Sequence, residues 1–113
     1  MKVYHNPRCG KSREAVSLLE KKKIKHEIYL YLKEGLTQAE IKDLLKKLKM
    51  EPMDLIRQNE KDYKENFAGK KMTDAGLIKA IVKYPKLLQR PIVVKGHKAI
   101  VARPADLLKD FLK

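Results

Sequence analysis

Close to its start the chain reads His5-Asn6-Pro7-Arg8-Cys9-Gly10-Lys11-Ser12-Arg13. This stretch lies between a short apolar strand pattern and a helical pattern that begins just after Cys9. The first N–H groups of a helix have no partner within the helix, so they would point at the Cys9 sulfur, and Arg8, Lys11 and Arg13 add positive charge. Both effects favour the thiolate over the thiol. The stretch therefore predicts a nucleophilic cysteine that coincides with an oxyanion site.

On either side of this stretch the sequence predicts a β-α-β unit. A strand over 2–5 is followed by a helix over about 9–22, and a second strand is predicted over 26–32. The helix would bury apolar residues at helical spacing: Ala15, Val16, Leu18 and Leu19. In the second strand the apolar residues Ile28, Leu30 and Leu32 alternate with Glu27, Tyr29 and Tyr31. The two strands are expected to be parallel.

The region 37–84 is predicted to be wholly helical. Thr37 and Glu40 have the spacing of a capping box. The helix that follows would present one apolar face: Ile41, Leu44, Leu45 and Leu48. Pro52 can begin a short helix through Met53, Leu55 and Ile56. Thr73 is expected to cap a further helix with a core stripe: Leu77, Ile78, Ile81 and Val82.

After Pro85 the pattern returns to strands. Ile92-Val93-Val94 and Ala99-Ile100-Val101 flank a tight turn at Gly96-His97, which predicts an antiparallel hairpin. Pro104 then begins a last helix with an apolar stripe: Leu107, Leu108, Phe111 and Leu112. The order β-α-β, helical region, β-β-α predicts a three-layer α/β thioredoxin-like fold, with a mixed four-stranded sheet and a helical insert at about 37–84. We expect a single domain over 1–113.

The net charge of +13 raises the question of a nucleic-acid partner. Lysines fall in every segment, interleaved with Glu and Asp, and no helix-turn-helix, zinc finger or aromatic RNA-binding pattern accompanies them, so we expect a solvated surface and no nucleic acid. One cysteine and three scattered histidines (His5, His26 and His97) predict no metal site and no bound cofactor. No stretch approaches a membrane span and no apolar signal region precedes Lys2, so we expect a cytoplasmic monomer.

Only five of the 27 basic residues are arginine, and each stands at a marked position. Arg90 and Arg103 each precede a proline, Arg57 closes an apolar segment, and Arg8 and Arg13 flank Cys9. A chain that uses lysine for solubility and keeps arginine for few places needs the planar guanidinium there, since it binds an oxyanion with two hydrogen bonds. For Arg8 and Arg13, a role as ordinary surface or ion-pair residues is about as well supported as a functional role.

Three separated motifs resemble those of the glutaredoxin-coupled arsenate reductase (ArsC) family, in the same order and along essentially the whole chain. They are the stretch from His5 to Arg13, then Leu55-Ile56-Arg57, and then Arg90-Pro91-Ile92-Val93-Val94 followed by Ala102-Arg103-Pro104. The resemblance implies that Cys9 is the nucleophile, that Arg57, Arg90 and Arg103 bind arsenate, and that His5 modulates the thiolate. It also implies a cis peptide bond before Pro91, with Arg90 directed at the sulfur.

The implied reaction reduces arsenate to arsenite. The oxyanion would be held by the three guanidinium groups and by the backbone after Cys9 at Gly10, Lys11 and Ser12, and attack by Cys9 would give a thiol-arsenate adduct. Because the chain has no second cysteine, an external thiol must resolve the adduct. The family scheme assigns this step to glutathione as co-substrate and to glutaredoxin as partner.

Two other functions remain open. The first is a glutathione-dependent thiol reductase with another substrate, against which the trio Arg57, Arg90 and Arg103 argues. The second is a transcription regulator of the Spx type that binds RNA polymerase; such regulators carry a Cys-x-x-Cys switch, and Ser12 stands where the second cysteine would be. His5 is equally consistent with a packed side chain, and the hydroxyl of Ser12 is expected to cap the helix or else to contact the thiolate.

Overall fold

The computed structural model describes residues 1–112. Over that range the elements follow in this order: β1 (Lys2–Tyr4), α1 (Gly10–Lys21), β2 (Glu27–Tyr29), α2 (Tyr31–Glu34), α3 (Gln38–Leu48), α4 (Lys61–Asn66), α5 (Asp74–Lys83), β3 (Ile92–Lys95), β4 (Lys98–Val101) and α6 (Asp106–Phe111). Short 3₁₀ helices lie at Pro52–Leu55 and Pro85–Leu87.

The four strands form one mixed sheet in the order β2-β1-β3-β4. β1 and β2 are parallel, whereas β3 is antiparallel to both β1 and β4. The β-α-β unit, the hairpin and the mixed four-stranded sheet that the sequence predicted are therefore confirmed.

The register of the sheet brings three chain segments to one edge. Tyr4, at the end of β1, lies opposite Ile92 at the start of β3, and Ile92 in turn lies opposite Val101 at the end of β4. Beyond Val101 the pairing continues, because the N–H of Ala102 donates to the carbonyl of Pro91 at 2.9 Å. The segments that carry Cys9, Arg90 and Arg103 thus leave the sheet at the same edge.

The core of this part of the molecule lies on one face of the sheet, where α1 and α6 pack. Its fully buried members come from the strands, from both helices and from the end of β4: Val3, Ala15, Leu19, Val93, Ala102 and Leu108. The predicted stripe of α6 is wrong at Leu107, which is 44 % exposed. Leu108 is buried, and its neighbour Leu107 points away because successive helical residues are about 100° apart.

The second strand is shorter than predicted. β2 ends at Tyr29, and the N–H groups of Lys33 and Glu34 both donate to the carbonyl of Leu30, which turns the chain into α2. Tyr31 is consequently fully buried, while Ile28 and Leu32 are 39 % and 38 % exposed. The predicted strand over 26–32 with an apolar alternation at 28, 30 and 32 is wrong, since two overlapping turns end the strand before the alternation can continue.

The chain divides into two compact units, one formed by Met1–Glu34 with the segment from Arg90 onward and the other by Gly35–Gln89. The second unit contains the predicted insert. Its helices begin as expected: Thr37 and Glu40 form both bonds of a capping box, and Thr73 accepts from the N–H of Gly76. The prediction of a wholly helical region is wrong in detail, because loops separate the helices and Ile56 forms an isolated antiparallel bridge with Leu88.

The apolar faces of α3 and α5 are buried in the second unit: Ile41, Leu44, Leu45, Leu77, Ile78 and Ile81. The prediction of one domain over 1–113 stays a prediction. None of the helices within residues 1–112 is long and apolar enough to span a membrane.

Candidate active site

Cys9 lies where the loop after β1 becomes helix α1. It is the N-cap residue, with extended backbone angles (φ −92°, ψ 122°), and its carbonyl accepts the first helical hydrogen bond from the N–H of Arg13 at 3.0 Å. Its side chain is partly buried. The sulfur therefore stands at the positive end of a 12-residue helix, as the sequence predicted.

The surroundings of Cys9 favour its ionised form. Burial alone would raise the pKa of this thiol, but the backbone N–H of Ser12, the side chain of Arg90 and the backbone N–H of Lys11 all stabilise the anion. The net effect places the pKa of Cys9 below its ordinary value. A thiolate is the nucleophilic form of cysteine, so the lowered pKa increases the fraction of the reactive form at a given pH.

Arg90 supplies the charged partner of the thiolate. This residue is only 9 % exposed, and its guanidinium donates a hydrogen bond to the Cys9 sulfur. It directly precedes Pro91, and the Arg90–Pro91 peptide bond is cis. The two geometric predictions that followed from the family resemblance, a cis bond and an arginine directed at the sulfur, are confirmed.

A buried polar network lies beneath the cysteine loop. The hydroxyl of Ser12, which is fully buried, contacts Nδ1 of His5 at 2.8 Å and accepts from the backbone N–H of Asn6 at 3.0 Å. Burial, and next the nearby charge of Arg13, lower the pKa of His5, so its imidazole is neutral at neutral pH. The expected helix cap by Ser12 is wrong, because its oxygen instead connects the loop after β1 to α1.

Asn6 is a residue whose contribution the sequence did not predict. Its N–H donates to Ser12, its side-chain Oδ1 accepts from the N–H of Arg8 at 3.0 Å, and its carbonyl accepts from the N–H of Cys9 at 3.0 Å. These three bonds hold the loop that places Cys9 at the helix start. The sequence carried a signal, since Asn before Pro-x favours a side-chain turn of this kind.

Arg103 follows β4 at the same edge of the sheet as Arg90. Its Nη1 atom is buried and has no hydrogen-bond partner, and the Arg103–Pro104 bond is also cis. A buried guanidinium N–H without a protein partner is unusual in a folded protein, and this one is able to donate to a bound anion.

The remaining predicted site residues divide between the two units. Arg57 belongs to the second unit, where its guanidinium forms an ion pair with Glu60 at 2.7 Å. Its convergence on Cys9 stays a prediction. Gly10 begins α1 and is exposed, and the exposed side chain of Lys11 lies 3.9 Å from Glu14, so Lys11 contributes to the site through its backbone.

Metal binding has no evident site in the described part of the chain. Among residues 1–112 no three His, Cys, Asp or Glu side chains lie close enough to hold an ion.

Known proteins resemble this chain over nearly its full length. A model of the ArsC family matches residues 4–111. The uncharacterized protein YfgD of Escherichia coli K12 is 45% identical over 99% of this chain and 96% of its own length, and an arsenate reductase of Haemophilus influenzae is 38% identical over 97% of each chain. The structure of an arsenate reductase from Vibrio cholerae has a TM-score of 0.91 at 37% identity and covers 97% of each chain. The predicted thioredoxin-like fold is confirmed by this likeness.

Proposed function

The chain belongs to the ArsC family, and from this premise we propose that it is an arsenate reductase with Cys9 as its nucleophile. The observation that carries the proposal is the geometry of Cys9. Its sulfur lies at the start of a helix, accepts a hydrogen bond from Arg90 and has a lowered pKa. A group of this kind both attacks an electrophilic centre and lies beside the charges that bind an oxyanion.

The proposed oxyanion site is built from nitrogen donors. Arg90 and Arg103 contribute guanidinium groups from the sheet edge that also carries Cys9, and the buried Nη1 of Arg103 gains a partner when an oxyanion binds. The backbone N–H groups of Lys11 and Ser12, at the start of α1 with Gly10, contribute further donors. Arg57 is the third guanidinium in this proposal, and His5 positions Ser12.

The proposed reaction has two steps on arsenic. The Cys9 thiolate attacks arsenate, a sulfur–arsenic bond forms, and one oxygen leaves as water after it has taken up a proton. Glutathione then attacks the Cys9 sulfur, so a disulfide forms between the two sulfurs and the sulfur–arsenic bond breaks. Its electron pair stays on arsenic, which is thereby reduced from As(V) to As(III), takes the thiol proton and leaves as arsenite.

The cysteine count supports an external reductant. Cys9 is the only cysteine, so the mixed disulfide cannot be resolved within the chain. A second thiol, proposed to come from glutaredoxin with glutathione, reduces it and regenerates Cys9. A cytoplasmic location belongs to the same proposal, because that compartment keeps thiols reduced.

The test is arsenate-dependent NADPH oxidation in the presence of glutathione, glutathione reductase and a glutaredoxin. We expect multiple turnovers with this system, none with Cys9→Ser, and none when thioredoxin and its reductase are the only donors. Turnover with thioredoxin alone would show that thioredoxin is the electron donor and would contradict the proposed role of glutathione and glutaredoxin. Reduction of disulfide substrates without any activity toward arsenate would favour the thiol-reductase alternative instead.

A further inference from the structure

A groove runs along the outer side of α1 and begins next to the nucleophile. Its walls are one face of α1, from Gly10 to Lys21, and the start of α6, from Ala105 to Lys109, and its volume is about 640 Å³. This volume is within the usual range of small-molecule sites, roughly 300–1,000 Å³. Gly10, at one end, directly follows Cys9 in the chain, so the groove begins within one residue of the nucleophile.

Both helices of the groove start at the same edge of the sheet. α1 follows β1, α6 follows β4, and the ends of these two strands lie at one edge on either side of the start of β3. Asp106 at the start of α6 therefore lies toward the Gly10 end of the groove. Lys109 follows about 4.5 Å further along the helix, at 1.5 Å per residue.

The groove carries charges of both signs. Arg13 is fixed beside its Cys9 end: Nη1 donates to the carbonyl of Pro7 at 2.8 Å, and Nη2 lies 3.8 Å from the position that a Cβ on Gly10 would occupy. Lys109 forms an ion pair with Asp106 at 3.4 Å, and the side chains are 58% and 82% exposed. Such an exposed pair has little net stability, so its members can exchange partners when a charged ligand arrives.

We propose that this groove binds glutathione, with its thiol directed at Cys9. The inference rests on the proposed function, which needs an external thiol at that sulfur. Glutathione at neutral pH has two carboxylates and one ammonium. Near Cys9 the groove is lined by two cations, Arg13 and Lys109, and by two acids, Asp106 and Glu14, of which Glu14 lies 3.9 Å from Lys11. Arg13, Lys109 and Asp106 are therefore the proposed partners of these three groups. On binding, Asp106 exchanges its partner Lys109 for the ligand ammonium, and Lys109 binds a carboxylate.

The length of the ligand fits the part of the groove nearest Cys9. An extended tripeptide spans about 10 Å, at roughly 3.3–3.6 Å per residue, and the thiol of glutathione is on its middle residue, so each arm reaches about half of that length. One turn of α1, from Gly10 to Arg13, spans a similar distance of about 4.5 Å at 1.5 Å per residue. Lys21, about 16 Å from Gly10 by the same rise, lies beyond the reach of a ligand whose thiol is at Cys9.

The direct test uses S-methylglutathione, which cannot form a disulfide, and amide NMR shifts of the ¹⁵N-labelled protein without arsenate. We expect saturable shifts at Gly10, Arg13 and Asp106. Shifts confined to other surfaces, or no shifts at 20-fold the KM for glutathione or at the solubility limit of the ligand, would overturn the proposal. Because arsenate is absent, this result is independent of whether the chain reduces arsenate.

The kinetic test reverses one charge in the groove and one outside it. Lys109→Glu should raise the KM for glutathione at least about tenfold, equivalent to about 1.4 kcal/mol, and leave the KM for arsenate unchanged. Lys98→Glu, an exposed lysine at the opposite end of the hairpin, makes the same change in net charge and should leave both constants unchanged. An equal effect of the two variants would show nonspecific attraction and contradict the proposal, as would no effect of Lys109→Glu.

Discussion

Arg103→Met is expected to stabilise the free protein and, at the same time, to weaken its binding of oxyanions. In the free protein the Nη1 atom of Arg103 is buried without a hydrogen-bond partner. An unsatisfied buried donor costs about 1–3 kcal/mol. Arg103 as a whole is only partly buried, so water screens much of its charge and the lower figure, about 1 kcal/mol, applies. Methionine keeps an unbranched side chain and removes the donor.

Urea unfolding with and without sulfate measures both effects. Sulfate is a tetrahedral dianion that Cys9 cannot reduce. Without sulfate, the free energy of unfolding of Arg103→Met should exceed that of the native sequence by about 1 kcal/mol, which corresponds to a rise of about 4 °C in Tm for a chain of this size. With sulfate at ten times its Kd, the native protein should gain about 1.4 kcal/mol, and the variant should gain clearly less.

Lys98→Met is the matched control, because it also replaces a basic side chain by methionine. Lys98 is exposed and begins β4, at the end of the hairpin away from Cys9. This variant should leave the sulfate effect unchanged. Destabilisation of the free protein by Arg103→Met would contradict the prediction, as would a sulfate effect on that variant equal to the effect on the native sequence.

Three further predictions concern the buried network and the thiolate. Arg90→Met should move the midpoint of Cys9 alkylation by iodoacetamide to higher pH, because the thiolate loses a hydrogen bond and a positive charge; an unmoved midpoint would mean that the helix start alone sets the pKa. Ser12→Ala should lower the free energy of unfolding by about 1–3 kcal/mol in urea, whereas Ser17→Ala on the exposed face of α1 should change it by less than about 0.5 kcal/mol; equal losses would contradict the network. The lowered pKa of His5 means that its imidazole binds a proton more tightly in the unfolded chain than in the folded one. The free energy of unfolding should therefore fall as the pH drops from the ordinary pKa of 6.5 toward the lowered pKa. An NMR titration of the imidazole with a midpoint at or above 6.5 would contradict this prediction.

The helices and the hairpin could be predicted because their signals are local. Thr37 with Glu40 marks a helix start within four residues, and Gly96-His97 marks a turn between two β-branched runs. The β-α-β unit could be predicted for the same reason, from the alternation of apolar residues in its strands and their helical spacing in α1. These features depend on backbone geometry and on one amphipathic face at a time.

The errors lie where an early turn or the packing of one element against another decides the outcome. The end of β2 at Tyr29 depends on the turn at Leu30 and on the burial of Tyr31, which no alternation of apolar residues predicts. The exposure of Leu107 depends on which side of α6 meets the sheet. The periodicity and composition of a segment predict its secondary structure, whereas the burial of its residues depends on which other elements pack against it.

The candidate site was predictable in part. Cys9 before a helix and Arg90 before a proline are motif features, and the structure gives both the geometry expected of them. The three bonds of Asn6 and the unpartnered Nη1 of Arg103 arise from the folded loop and the sheet register. Asn6 before Pro7 is a signal for a side-chain turn, whereas no pattern in the sequence distinguishes Nη1 of Arg103 from an ordinary loop atom.

The central claim is that Cys9 attacks arsenate and that an external thiol then displaces arsenic from the Cys9 sulfur, forming a disulfide with it. The most direct measurement is intact-protein mass spectrometry of acid-quenched mixtures of protein, arsenate and reduced glutathione without glutaredoxin, with arsenite measured in the same samples. We expect a glutathione adduct at Cys9 that forms only when arsenate is present, with one arsenite released for each adduct. Arsenite release without modification of Cys9, or from Cys9→Ser, would contradict it.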